Sequence, residues 1–220
     1  MADARLLISS RNYSSWSLRG WLLCRLAGLE VEVSVAAADD PVARAELLMR
    51  SSSILLPCLI HVEVTVWDTL AIAEYLNETF PKAGLLPENR AARARSRSIS
   101  GEMHSGFSAL RSSLPMNLRA HVPDFTLWSG PKADIDRILT IWNECLEKWG
   151  GPWLFGARPG IADAMYAPVV TRFLTYGVRL DGAAARYADT IMSWPDMAEW
   201  VAAAKAEPEH VTELDLEAEF

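Results

Sequence analysis

The sequence changes character at one place. Ahead of the stretch PKAGLLPENR, which starts at Pro81, short strand-like and helix-like segments alternate; after it every periodic segment has helical spacing. Two prolines and a glycine among few apolar anchors read as a linker. A chain built this way divides into two unlike units: an α/β unit over 1–80 and an all-helical unit over 89–220, joined by 81–88. With 220 residues, half of them hydrophobic, there is enough apolar material for a core in each.

Within the first unit, 5–9 is a short apolar strand. Trp16, Leu18, Trp21, Leu22, Leu23 and Leu26 recur at helical spacing, and Gly28 is placed to end that helix. LEVEVSVA, 29–36, alternates and predicts a second strand. A short helix is predicted over 41–49. Two strands, 57–62 and 64–67, are close enough for a hairpin, although His61 to Val64 offers no turn residue. Asp68 then caps a helix over 69–80. The order is βαβαββα, with the first two strands parallel and the last two antiparallel. The second unit predicts helices over 89–114, 133–149, 161–176, 183–192 and 195–206; the third is apolar nearly all round and therefore buried.

Charge excludes some functions. The net charge is −7, and six acids with no Lys or Arg fall between Glu207 and Phe220, so the rest is close to neutral. No basic stripe follows a phosphate backbone, which argues against nucleic acid; the Arg-rich 90–97 reads as a solvated helix start. Cys24, Cys58 and Cys145 are odd in number and lack metal-ligand spacing, so no metal and a reducing, cytoplasmic setting are expected. The N-terminal apolar stretch is too short for a signal peptide, and no run reaches the ~20 residues of a membrane span.

Five segments in order carry a resemblance: YSSWSLRGWLLCRLAG, LLPCLIH, VWDTLAIAEYLNETFP, GIADAMYAPVVTRFLTYG and SWPDMAEWVAAAKAEPE. From Leu6 to about Val211 the chain resembles the cytosolic glutathione S-transferases, in their Ser-type, zeta-like and bacterial forms. The resemblance implies a thioredoxin-like N-terminal domain, an all-helical C-terminal domain, glutathione as cosubstrate, a small electrophile as second substrate, and a homodimer. It implies conjugation of the glutathione thiolate to an electrophile. A zeta-like maleylacetoacetate cis–trans isomerase is the alternative, although Trp16 stands where the zeta pattern has Cys. A non-catalytic glutathione-binding or interaction module is the third reading.

The chemistry fits the residue types. The glutathione thiol, with a free pKa above ~8, must lose its proton. A hydroxyl donor at a positive helix N-terminus favours the anion. Ser15, four residues before Arg19, is the first candidate, and Ser14 the second; either also serves as a plain N-cap. The resemblance further implies a cis bond before Pro57 with the Leu56 backbone on the glutathione cysteine. It puts Thr69 on the γ-glutamyl carboxylate and Asp68 on the adjacent ammonium. Ile54 and Leu55 occupy the place of the family's Gly-Lys or Gly-Arg; Arg11, Arg44 and Arg50 are the substitutes the sequence leaves open. Met103, His104, Phe107 and Arg111 share a helix face and are candidates for the second-substrate site, with packing as the alternative. Met116 and Asn117 are further candidates for the cleft border. Asp163 reads as a structural cap reaching back to the Gly160 N–H, with Gly160 where relatives carry Ser or Thr.

Overall fold

The computed structural model describes residues 4–36, 53–123 and 125–208. The helix expected over 41–49, the candidate cations Arg44 and Arg50, and the acidic tail beyond Pro208 lie outside the described residues. Strands β1 (Ala4–Ile8), β2 (Glu32–Val35), β3 (Cys58–His61) and β4 (Val64–Trp67) form one sheet in the order β2-β1-β3-β4. β1 and β2 run parallel, Leu6 opposite Val33; β3 is antiparallel to both β1 and β4. Helix α1 (Ser15–Leu26) makes the crossover from β1 to β2, and α2 (Thr69–Thr79) follows β4. This is a thioredoxin-like arrangement carrying an all-helical second part.

α1 is closed at both ends by its sequence. Ser14 caps it, its hydroxyl accepting from Ser17 N at 3.2 Å. Gly28 sits at φ 71, with Gly28 N on Arg25 O and Leu29 N on Cys24 O. These two bonds close a Schellman motif and satisfy the last carbonyls. α1 is buried on nearly every side because it lies between the sheet and the helical part.

After a 3₁₀ turn at Pro81–Ala83 come α3 (Arg90–Ser105), α4 (Ser108–Ser113), α5 (Ser129–Trp149), α6 (Ile161–Thr175), α7 (Gly182–Met192) and α8 (Pro195–Ala206). The long helix expected over 89–114 is two helices. Gly106 leaves helical geometry, and a Cβ there would lie 2.7 Å from Glu102 O; Phe107 then takes φ 59. The apolar periodicity runs through the break, which is why it did not show in the pattern.

One apolar core runs from Leu6 and Ile8 of the sheet through α1 to α6 and α8. Leu7 and Cys58 make a smaller cluster on the other face, with Leu56, Ile60 and Trp67. α6 is buried along its length and carries Asp163 at its start. Asp163 Oδ2 accepts from Gly160 N at 2.9 Å, and Oδ1 accepts from Leu154 N and Tyr187 O–H, each at 3.1 Å. A Cβ on Gly160 would meet Leu85 O at 2.9 Å, the carbonyl that takes Ile161 N, so close approach excludes a Ser or Thr cap.

Candidate active site

The sheet register gathers the candidates. Leu7 pairs with Cys58 and Cys58 with Trp67. Consequently the loop leaving β1, the Leu56–Pro57 peptide entering β3 and the Asp68–Thr69 step leaving β4 all lie at one end of the sheet. The Leu56–Pro57 bond is cis. α1 rises from the same end, and Pro57 packs against it at Gly20. There a Cβ would come within 2.7 Å of Pro57 Cγ, so the close contact requires glycine.

Ser14 ends a short chain of hydrogen bonds. Ser9 N donates to Ser17 Oγ at 3.3 Å, and Ser17 Oγ donates to Ser14 Oγ at 2.9 Å, alongside the bond from Ser17 N. Both lone pairs of the Ser14 hydroxyl are therefore engaged, and its O–H is left to donate. Such a chain polarises its last member. The helix N-terminus adds positive potential there.

Ser15, the first candidate, faces the interior. It is fully buried, and its hydroxyl accepts from Arg19 Nη1 at 3.2 Å. The four-residue spacing that singled it out is the helical spacing that sets Ser15 against Arg19 inside the fold. Arg19 is 1% exposed, donates to Met165 O at 2.9 Å and lies 4.5 Å from the Trp16 ring.

Asp68 takes φ 76, a left-handed conformation uncommon for a side chain with a Cβ. Its Oδ1 accepts from Leu70 N at 2.8 Å and Ala71 N at 3.2 Å; its Oδ2 lies 2.5 Å from His104 Nε2. Thr69 is buried, and its Oγ1 has no hydrogen-bond partner among the described residues. A buried hydroxyl left unpaired is costly, and one placed at a helix start suits the anchoring of a polar ligand.

Of the four residues on the expected second-substrate face, two reach the site. His104 joins Asp68 and lies 5.1 Å, centroid to centroid, from Trp16. Arg111 lies 4.4 Å from the Trp16 ring and donates to His104 O at 3.2 Å. Met103 is fully buried and Phe107 nearly so, and both belong to the core. The break at Gly106 turns the chain and ends the common face. Met116 is likewise buried, whereas Asn117 Oδ1 accepts from Asn12 Nδ2 beside the β1–α1 loop. Trp16, read in the sequence as an apolar position of α1 and as a replacement for Cys, is the plate on which Arg19, Arg111 and His104 meet. Arg11 is committed to Glu207 at 3.9 Å and to the Trp200 ring at 5.9 Å. The Arg-rich start of α3 is also occupied: Arg93 holds Pro87 O and Glu88 O, Arg95 holds Glu144, and Arg97 holds Glu74. No group of three metal-ligating side chains occurs among the described residues. No described helix is long and apolar enough to cross a membrane.

A thioredoxin-like unit with a polar site at the mouth of its first helix, backed by a helical domain, is the two-domain class to which the chain belongs. The family models for the glutathione S-transferase N-terminal and C-terminal domains match residues 13–79 and 132–203. The chain belongs to the glutathione S-transferase family. It is 25% identical over 173 residues to glutathione S-transferase 1 of Dianthus caryophyllus, covering 78% of each chain. It is 28% identical over 117 residues to maleylacetoacetate isomerase of Pseudomonas aeruginosa, 50% of this chain and 52% of that one. A Burkholderia glutathione transferase homolog solved with bound glutathione shares the fold, with a TM-score of 0.69 and 20% identity over 93% of this chain and 99% of that one.

Proposed function

We propose that this protein is a glutathione transferase whose Ser14 hydroxyl donates to the sulfur of bound glutathione and stabilises the thiolate. The thiolate then attacks a small electrophilic carbon, forming the C–S bond while a halide leaves or an epoxide or activated alkene opens. The thiol proton goes to solvent. Ser14 stays uncharged and forms no covalent bond, so it needs no His/Asp partner.

The observation that carries this reading is the chain from Ser9 N through Ser17 to Ser14, which leaves one O–H to donate at the start of α1. The unpaired Thr69 hydroxyl supports a carboxylate at the α2 N-terminus, and helix N-termini suit such groups. Asp68 is suited to the neighbouring ammonium, and the Leu56 backbone to the peptide of the glutathione cysteine. His104 and Arg111, beside Trp16, border the second substrate. Ile54 and Leu55, exposed apolar residues ahead of β3, support a homodimer.

A second reading is a cis–trans isomerase in which glutathione adds reversibly to a diene; the adjacent serines and the Pseudomonas relative favour it. Calorimetric titration with glutathione comes first. No binding up to millimolar concentration would leave only the non-catalytic interaction module. Given binding, turnover of aryl halides supports conjugation, and turnover of maleylacetone-like dienes alone supports isomerisation.

A further inference from the structure

The loop that delivers Ser14 is held by a residue almost two hundred positions away. Glu207, just past the end of α8, is nearly buried. Its Oε2 accepts from Ser10 Oγ at 2.9 Å and from Asn12 N at 3.1 Å; Arg11 N lies within 2.9 and 3.0 Å of its two oxygens. Ser10 Oγ in turn accepts from Asn12 N and Tyr13 N at 3.1 and 3.2 Å. Consecutive amides gathered around one carboxylate form an anion-binding nest, here filled by the protein's own side chain.

The clamp is itself fixed. Arg119 donates to Ala204 O at 3.0 Å and to Glu207 O, which holds the end of α8 in place. Trp200 Nε1 donates to Arg11 O at 3.0 Å, and Asn12 Nδ2 donates to Asn117 Oδ1 at 3.1 Å. Between Ile8 and Ser14 the chain has no ladder or helix of its own, so these bonds from the helical part set its path.

We propose that Glu207 is a positioning residue for Ser14: its carboxylate fixes the 10–13 loop, and the acidity of the bound glutathione thiol depends on it. This rests on the reading of Ser14 as the donor to sulfur. Its carboxylate contacts are with the loop, through which the proposed effect on Ser14 is transmitted. Gln in its place has one acceptor where the nest needs two, and turns an NH₂ toward backbone N–H groups.

The test uses the full chain with glutathione bound, comparing wild type, Glu207→Gln, Glu207→Asp and Ser14→Ala. The ultraviolet thiolate band is followed against pH, alongside kcat, KM and melting temperature. Glu207→Gln should raise the apparent pKa of the bound thiol and lower kcat ~10- to 100-fold, the scale of a small misplacement of a working group. KM for glutathione should change far less, and Glu207→Asp should recover part of the loss. A Glu207→Gln protein that melts earlier but titrates and turns over like wild type overturns the proposal. If Ser14→Ala also leaves the thiol pKa unchanged, the Ser14 reading falls and the proposal with it. If Ser14→Ala shifts the pKa and Glu207→Gln does not, only the positioning role falls. Should Glu207→Gln not fold, Trp200→Phe, which removes the N–H on Arg11 O, must move the titration in the same direction; a wild-type titration there overturns the proposal.

Discussion

His104 Nε2 lies 2.5 Å from Asp68 Oδ2, so a residue of the helical part completes the cap of α2. The two carboxylate oxygens have separate duties, Oδ1 on the α2 amides and Oδ2 on His104. His104→Ala removes only the second. The pair is about one-third exposed, so the loss should be about 0.5–1 kcal/mol. Asp68→Ala also strips the cap and should cost about 1–2 kcal/mol, with KM for glutathione raised ~10-fold as a charged hydrogen bond to the ammonium is lost. Thermal melts and glutathione kinetics on both variants check this ordering. Equal KM values in Asp68→Ala and wild type would remove Asp68 from the glutathione site.

The two serines should separate cleanly. Ser14→Ala should lower kcat/KM ~100-fold, as loss of a donor to a developing or resting anion does. Ser15→Ala leaves buried Arg19 short of an acceptor and should cost about 1–3 kcal/mol in stability, with activity near wild type at permissive temperature. Melting curves and steady-state kinetics give both quantities. The opposite pattern would restore Ser15 as the working hydroxyl.

Asp163 sets a pH dependence. Burial pushes its carboxyl from 3.8 up to about 6, against the opposing pull of its bonds from Leu154 N, Gly160 N and the Tyr187 hydroxyl. The folded state thus binds this proton more tightly than the unfolded chain. The stabilisation is full below pH 3.8 and is lost as pH rises through about 6. Proton affinity raised this far by folding is worth about 3 kcal/mol at low pH. The advantage of wild type over Asp163→Asn in melting temperature should therefore shrink between pH 4 and 6, at ~2–4 °C per kcal/mol. An advantage that grows with pH would contradict this. Asp163→Ala, which orphans three donors, should cost ~1–3 kcal/mol even at neutral pH.

Val62 tips the β3–β4 hairpin at φ 54 and is 71% exposed. A β-branched side chain is strained there and gains nothing from burial. Val62→Asn or Val62→Gly should stabilise by about 1 kcal/mol, the cost of such a backbone position, and raise the melting temperature without changing activity. A lower melting temperature would show that the valine is covered in solution, as at a subunit interface.

Gly20 is the contact point between α1 and Pro57. Gly20→Ala improves helix propensity by about 1 kcal/mol but drives a methyl against the Pro57 ring, whose nearest carbon would lie 2.7 Å away. Overpacking of about 1–3 kcal/mol should win, and the displaced Pro57 should raise KM for glutathione. A more stable variant with unchanged KM would show that the ring moves freely.

The fold was legible where the pattern is local. Period-two alternation marked β2, helical spacing marked α1, a nearly all-round apolar run marked α6, and the Pro/Gly punctuation at 81–88 separates the two kinds of structure. What did not show were contacts between distant segments. Nothing in RNYSS reveals that Glu207 would grip its amides, and a helical stripe continues past Gly106 although the chain does not. The Asp68–Thr69 step and the serine pair stood out as candidates from residue type, position and resemblance, and the sheet register sets them at one end of the sheet. The spacing of Ser15 and Arg19 was visible, but not that the same interval buries both. For Met103 and Phe107 the spacing leaves packing and cleft both open, and the break at Gly106, which no periodicity marks, sets them in the core.

The proposed chemistry turns on one atom pair, Ser14 Oγ and the glutathione sulfur, and a crystal structure of the protein soaked with glutathione would locate both. The sulfur should lie within hydrogen-bond reach of Ser14 Oγ, with the γ-glutamyl carboxylate on Thr69 and the cysteine backbone on Leu56. A sulfur beyond reach of Ser14, or an empty cleft at saturating glutathione, would contradict this reading.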